Sequence, residues 1–248
     1  MSEKGAIDMR VLSKAQYILT LIVAIALWST AALAQGNSPD TSSLSALANL
    51  GEMKIALTHY EESGQYERDL EQVGSLAKEY LRHDKKLPNK PAIVLDIDET
   101  SLSNWPVIKV DDFAHISSDS CDLSKGPCGW NAWMQMAQDK PIAPTLDLYR
   151  EARKENLAIF FITGRHEDSR DATARNLRAA GYDSWNELIM EPDGASPPSA
   201  SCYKAAERKR ITDEGYTIVL NMGDQESDLM GGYAQRTFKL PNPFYYIP

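Results

Sequence analysis

The chain has 248 residues, 43% hydrophobic and 25% charged, with 26 basic against 35 acidic residues and a formal charge of -9. These proportions exclude a disordered chain and a polytopic membrane protein, and the length allows one substantial core with a small appendage. A net acidic chain is unsuited to binding a nucleic-acid polymer through its backbone, and 3 cysteines are too few for a disulfide-built mini-domain. Small anionic molecules stay within reach, because a metal or a few aimed cations reverse a local field.

Lys4, Arg10 and Lys14 precede an apolar run from Tyr17 to Trp28, and small residues lead on to Ala32-Leu33-Ala34. A basic start, a short apolar stretch and an A-x-A end predict a signal peptide over residues 1–34, cleaved after Ala34. The run falls short of the about 20 apolar residues that a span requires. The expectation is therefore a periplasmic or secreted protein with no stable membrane anchoring after cleavage. Residues 35–43 read as a loose polar leader.

The main domain is expected over residues 44–248. Leu50, Met53, Leu57 and Tyr60 stand at helical spacing before Gly64, and Leu70, Val73, Ala77 and Tyr80 repeat that spacing before Pro88. They predict two antiparallel amphipathic helices within residues 44–87. Beyond them strands and helices alternate: strands at Ala92–Leu95, Ala158–Ile162, Glu187–Met190 and Thr217–Met222, and helices at Pro144–Asn156, Glu167–Ala180 and Tyr203–Glu214. Alternation of this kind predicts an α/β fold, a Rossmann-like parallel sheet with helices on both faces. Residues 101–140, with Trp105, Phe113, Trp130 and Trp133, are too long for an ordinary strand-to-helix loop and read as an inserted cap.

Four chemical signals stand at predicted strand ends, where open parallel sheets bind ligands. Asp96-Ile97-Asp98-Glu99-Thr100 places two carboxylates two residues apart, so that one can attack or bind a metal while the other handles protons. Thr163-Gly164-Arg165 joins a hydroxyl to a glycine whose backbone lets an anion approach. Lys204 opens a helical segment, and Gly223-Asp224-Gln225-Glu226-Ser227-Asp228 follows the last strand. Phosphoryl transfer needs such a set: a nucleophile, an acid/base, a hard cation and fixed donors for phosphate oxygens. Asp96, Asp98 and Asp224 are the expected oxygen ligands for Mg²⁺, with Thr163, Gly164 and Lys204 on the phosphoryl oxygens. A D-x-D-x-T string arises by chance about once in 10⁴ positions at average composition, and here it stands in order with three further motifs.

On these motifs, together with Arg236-Thr237-Phe238-Lys239-Leu240-Pro241-Asn242-Pro243, the chain resembles a haloacid-dehalogenase (HAD)-superfamily phosphatase. More narrowly it resembles the secreted acid phosphatases of class B/C type, a group that includes plant vegetative storage proteins. The resemblance covers residues 45–248. It implies a Mg²⁺-dependent acid phosphatase acting on small phosphomonoesters through an aspartyl-phosphate. Asp96 would be the nucleophile; Asp98 would be the acid/base, giving its backbone carbonyl to the metal. Thr163 would bind phosphate, Lys204 neutralise charge, Asp224 ligate the metal, and Asp228 support metal or lysine. Glu226 departs from the pattern, since relatives often carry an aromatic residue there.

Other readings stay open. An aspartyl-phosphate captured by an alcohol makes a phosphotransferase, and a storage or binding protein could keep the fold without turnover. Hydride transfer is disfavoured, because no G-x-G-x-x-G follows the first strand. Lys204 competes with Lys209, and Arg165 either reaches substrate or pairs on the surface. The cap aromatics either pack or stack on ligand. His59, His83, His115 and His166 lack zinc-like spacing, and Phe244, Tyr245 and Tyr246 are expected to cover the core. A homo-oligomer is compatible with all of this. In an oxidising compartment, the short stretch Asp122–Pro127 lets Cys121 and Cys128 close a disulfide, leaving Cys202 free.

Overall fold

The computed structural model describes residues 48–83, 87–194 and 197–247. The signal peptide and leader predicted over residues 1–43 lie outside them. Of Met1–Asn49, one of two compact units, only Ala48 and Asn49 are described; Leu50–Pro248 is the other unit and carries the fold. No helix among the described residues is long and apolar enough to cross a membrane.

Two helices come first, α1 (Leu50–Glu62) and α2 (Gln65–His83). Gly64 joins them at φ +71°, a left-handed conformation that glycine adopts without steric cost. On α2, Tyr66, Leu70, Gly74, Ala77 and Leu81 are buried, a stripe at three- and four-residue spacing that faces the core. Helix α1 buries no residue fully; Leu57 and Tyr60 pack part-buried against the core.

A parallel five-stranded sheet follows. It comprises β1 (Pro91–Leu95), β4 (Ala158–His166), β5 (Glu187–Glu191), β6 (Thr217–Gly223) and β7 (Ala234–Lys239), in the order β5-β4-β1-β6-β7. Adjacent residues of each central strand serve opposite cores. Ile93, Leu95, Ile159 and Phe161 join the larger cluster with α2 and α5 (Ala143–Lys154), while Ala92, Val94, Phe160 and Ile162 meet Ile211 of α7 (Ala200–Asp213). Both faces are thus covered, and so these strands read as continuous apolar runs rather than alternating ones. From β1 the chain moves outward through β4, α6 (Arg170–Ala180) and β5, then crosses back by α7 to β6 on the other side of β1. That reversal makes the carboxyl ends of β1, β4 and β6 the topological switch point.

An insertion leaves this frame directly after β1. Its base is a short antiparallel pair, β2 (Leu102–Ser103) with β3 (Lys140–Pro141). Between them lie α3 (Trp105–Val110), a loop closed by a Cys121–Cys128 disulfide, and α4 (Trp130–Met136). Val107, Cys128 and Trp133 form its own small core, and Asp111 Oδ1 accepts the Cys128 N–H at 2.7 Å. Cys202 is a free, exposed thiol.

One boundary, one strand and one side chain differ from expectation. The strand predicted to end at Ile162 runs to His166, because a register irregularity between Ile162 and His166 lets pairing resume at His166–Glu191. Thr163-Gly164-Arg165 therefore lies within the strand rather than after it. Strand β7 was not predicted: it is an edge strand of mostly exposed polar residues, with only Phe238 buried. Tyr246 is exposed instead of covering the core, whereas Phe244 is buried in it.

Helix α2 rests on α5 through a missing side chain. A Cβ built on Gly74 would stand 2.4 Å from Pro144 Cβ. We expect Gly74→Ala to lower stability by about 1–2 kcal/mol net, the upper part of the about 1–3 kcal/mol of overpacking less the roughly 1 kcal/mol that alanine gains over glycine in a helix. Urea unfolding of the two chains measures it; an equal or higher midpoint for the alanine variant contradicts the close contact.

Candidate active site

The site is assembled where β1 ends. Asp96 N–H still bonds Met222 O of β6 at 3.0 Å, as if the strand continued. The chain then folds on itself: the N–H groups of Thr100, Ser101 and Leu102 all point to Ile97 O, at 3.3, 2.8 and 2.8 Å. Ser101 Oγ donates to Asp96 O at 2.6 Å. Glu99 takes a positive φ of 49°, so this turn is held in a sparsely populated conformation. The result anchors Asp96 on the rigid sheet and brings Asp98 to the same opening.

Lys204 meets Asp96 from the second turn of α7. Its Nζ donates to Asp96 Oδ1 at 2.6 Å and also to Asp228 Oδ1. Ser199 starts that helix, its side chain accepting the Cys202 N–H, which fixes the turn from which Lys204 projects. Asp228 sits on α8, a single turn at Glu226–Leu229, and its Oδ2 accepts the Gln225 N–H at 2.8 Å in a capping box. Gly223 allows this approach, because a Cβ there would stand 2.3 Å from Asp228 Cβ. Arg208, one turn beyond Lys204, donates to the carbonyls of Asp228, Met230 and Gly232 and secures the loop from behind.

Asp224 completes the cluster. Thr100 Oγ1 donates to its Oδ1 at 2.9 Å, while Gln225 Nε2 and Asn242 Nδ2 donate to its Oδ2 at 2.7 and 2.8 Å. Asp96, Asp224 and Asp228 each offer one carboxylate oxygen, and these oxygens lie within 4.8 Å of one another. All three residues are buried.

The electrostatics follow from burial. Removal from water, and then the charge of Asp228, push the Asp96 carboxyl well above the usual carboxylate range, against the pull of Lys204. Burial and Asp228 lift Asp224 to about 6. For Lys204, burial alone would favour the neutral amine, but Asp228 and Asp96 outweigh it and hold the ammonium above its ordinary value. Three buried carboxylates thus share one ammonium, an arrangement short of positive charge. An all-oxygen set of this kind suits a hard divalent cation such as Mg²⁺.

Asp98 is held differently. Burial would raise it, yet Arg165 and the Asn104 amide keep it below the usual range. Arg165 Nη2 and Nε reach Asp98 Oδ1 at 2.7 and 3.1 Å, and Asn104 Nδ2 reaches it at 2.9 Å. The carboxylate expected beside Asp96 and Asp224 as a ligand therefore faces Arg165, and it stands outside the three-carboxylate cluster. The metal contact implied for Asp98 by resemblance runs through its backbone carbonyl and does not depend on this orientation. Arg165 is not at the surface: it is 3% exposed, paired with Asp98, and lines the same opening. Lys209, by contrast, is an exposed partner of Asp213.

Asp96, Asp98, Arg165, Lys204, Asp224 and Asp228 line a cavity of about 540 Å³, together with Gly164 and apolar residues that include Phe113, Trp130 and Tyr245. A Cβ on Gly164 would meet nothing within 4 Å, so space stands beside its backbone. Thr163 is fully buried, its Oγ1 accepting the Arg165 N–H at 3.1 Å, and it is not part of the cavity lining. Trp133 is core, with Nε1 on Asn104 Oδ1 at 2.9 Å, whereas Trp130 faces the cavity.

Sequence reasoning passed over several supports. Glu99 accepts from Asn104 N–H at 2.6 Å and Tyr245 OH at 2.7 Å; burial and the neighbouring Asp98 charge raise it to about 8. Asn242, Gln225 and Glu99 lie inside stretches quoted for the resemblance and were legible there. Asp139, which touches Arg165, lay in the insertion with no motif around it.

Removing the one shared cation should be costly. Lys204→Met leaves the carboxylates uncompensated and is expected to destabilise the fold by about 3–5 kcal/mol. Added Mg²⁺ should recover part of the loss, since a cation held only by the folded chain stabilises it. Urea titrations with and without Mg²⁺ measure both; an undiminished midpoint, or no recovery, contradicts the charge balance described.

Comparison with known proteins follows the same lines. A family model described as HAD superfamily, subfamily IIIB (Acid phosphatase), matches residues 33–248. Acid phosphatase 1 of Solanum lycopersicum is 34% identical over 184 residues, covering 73% of this chain and 69% of that protein. The stem 28 kDa glycoprotein of Glycine max is 36% identical over 195 residues, covering 77% and 74%. Among solved structures, the class C acid phosphatase from Bacillus anthracis superposes with a TM-score of 0.63 at 22% identity, covering 79% of this chain and 86% of that one.

Proposed function

Because the chain belongs to the acid phosphatases of HAD subfamily IIIB, and is thereby a hydrolase of that type, we propose that it hydrolyses small phosphomonoesters through an aspartyl-phosphate on Asp96, with Mg²⁺ as cofactor. The observation that carries this reading is the convergence of Asp96, Lys204, Asp224 and Asp228 on the floor of one cavity at the switch point of the sheet. The predicted signal peptide supports a periplasmic or secreted setting for the activity.

Asp96 follows directly on β1 and is still bonded to β6 through its N–H, a fixed placement that suits a nucleophile. Its oxygen attacks phosphorus in line while the P–O bond to the leaving alcohol breaks. Asp98, on the turn two residues later, gives a proton to that leaving oxygen, then takes one from the water that releases phosphate from Asp96. Lys204 offsets charge on the phosphoryl oxygens, and the open backbone at Gly164 gives them room. Asp96 and Asp224 would hold the metal, with Asp228 within reach of the same position and the Asp98 carbonyl added by resemblance. Bound there, Mg²⁺ supplies positive charge to phosphoryl oxygens as negative charge develops.

A storage or binding role has one observation in its favour, the vegetative storage proteins among the relatives. The presence of Asp96 with its full set of partners favours turnover. A phosphotransferase would use the same site, with an alcohol replacing water.

A phosphate-release panel over nucleotides, sugar phosphates and aryl phosphates, with and without Mg²⁺, tests the assignment. Asp96→Asn should lower turnover of every ester by about a thousandfold or more. Asp98→Asn should impair esters of poor leaving groups most, because good leaving groups need little protonation. Chelation should abolish release and Mg²⁺ restore it. Full activity after exhaustive metal removal, or near-normal turnover by Asp96→Asn, would overturn the mechanism.

A further inference from the structure

Asp98 is oriented by a chain of contacts that starts in the insertion. Arg165 offers two edges of its guanidinium. Nε and Nη2 grip the Asp98 carboxylate, while Nη2 also reaches Asp139 Oδ2 at 3.2 Å and Nη1 reaches Thr173 Oγ1 at 3.3 Å. Asp139 is itself clamped: its N–H donates to Asn176 Oδ1 at 2.9 Å, and its carbonyl accepts from Asn176 Nδ2 at 2.7 Å. Asn176 lies on α6, part of the rigid frame. Asp139 lies between α4 and β3, where the insertion rejoins the sheet domain.

This placement is expensive. The Asp139 side chain is 0% exposed, and Arg165 is its ion-pair partner. Burying a carboxylate costs free energy that an apolar residue would not. A guanidinium with several rotatable bonds, tied only to Asp98, would be free to follow that side chain. Asp139 and Thr173 remove this freedom by fixing the far side of the plane. Such supports set the geometry of a reacting group more than they hold a fold together.

Building on the phosphatase reading, we propose that Asp139 is a positioning residue for the reaction: acting through Arg165, it sets the orientation of the Asp98 carboxyl toward the leaving oxygen and ties that orientation to the seating of the insertion. Asp139 does not line the cavity, so substrate binding should not depend on it.

The test uses the full chain with Mg²⁺ and two esters, p-nitrophenyl phosphate with a good leaving group and glycerol 2-phosphate with a poor one. Asp139→Ala should lower kcat/KM for glycerol 2-phosphate, which reports the steps up to the aspartyl-phosphate, about tenfold, part of the 10²–10⁴ that a placed acid/base supplies, with kcat/KM for p-nitrophenyl phosphate little changed. Asp139→Asn keeps an oxygen for Arg165 and should restore most of the loss; it also serves as the probe if the alanine chain does not fold. In an Asp98→Asn background, Asp139→Ala should add no further selective loss, since the two act as one unit. An unchanged ratio between the esters, or an equal fall for both that tracks a lower unfolding midpoint, overturns the proposal while leaving the phosphatase reading intact. A wild-type chain that releases phosphate from neither ester overturns the reading and this proposal together.

Discussion

A single ammonium group holds three buried carboxylates together. Lys204 bonds Asp96 and Asp228 directly, and Asp224 stands within 4.8 Å of both. Asp96 comes from the end of β1, Asp224 and Asp228 from the stretch after β6 and Lys204 from α7, and none of the acids would tolerate burial alone. The surrounding architecture serves this arrangement. The capping box of α8 turns Asp228 inward, the Ser199 cap sets the start of α7, and the tight turn after β1 keeps Asp96 on the sheet. A cluster so short of positive charge is stable enough to fold and electrostatically poised for a cation, which links the stability of the frame to the chemistry of the site.

The second charged group, Asp98 with Arg165, is physically separate from the first although only two residues part Asp96 from Asp98. One carboxylate is pushed up by its neighbours and the other is held down by a guanidinium. Two acids of the same type thus differ in charge balance: Asp96 is short of positive charge, which a bound cation would supply, whereas Asp98 already has its own guanidinium. The insertion meets the second group at two points, Asn104 directly and Asp139 through Arg165.

Much of this was legible in the sequence because the sheet is buried on both faces. Ala92–Leu95 and Thr217–Met222 are unbroken apolar runs, and the acids stand directly at their ends. Elements that carry little apolar signal escaped. Strand β7 has one buried side chain, α8 is one turn long, and α3 and α4 sit in a segment whose helical periods are too short to register. Side-chain direction was the other limit. Two carboxylates two residues apart can share an opening, but nothing in the string Asp96-Ile97-Asp98 says that one meets a lysine and the other an arginine. Arg165 looked like a surface or substrate group because its partner Asp139 is distant in sequence and has no motif around it.

Gly223 has a consequence for how such a chain can change over generations. Any Cβ at this position would collide with the Asp228 side chain, so even alanine, the smallest replacement, would drive that carboxylate off Lys204. The constraint comes from the ion cluster and not from the backbone, since Gly223 does not adopt a positive φ. Selection for turnover therefore keeps the position closed. In a lineage kept only for its bulk as stored protein, the cluster could be abandoned and the position would open to drift. A side chain found at 223 in a descendant would thus mark a chain whose ion cluster is no longer built in this way.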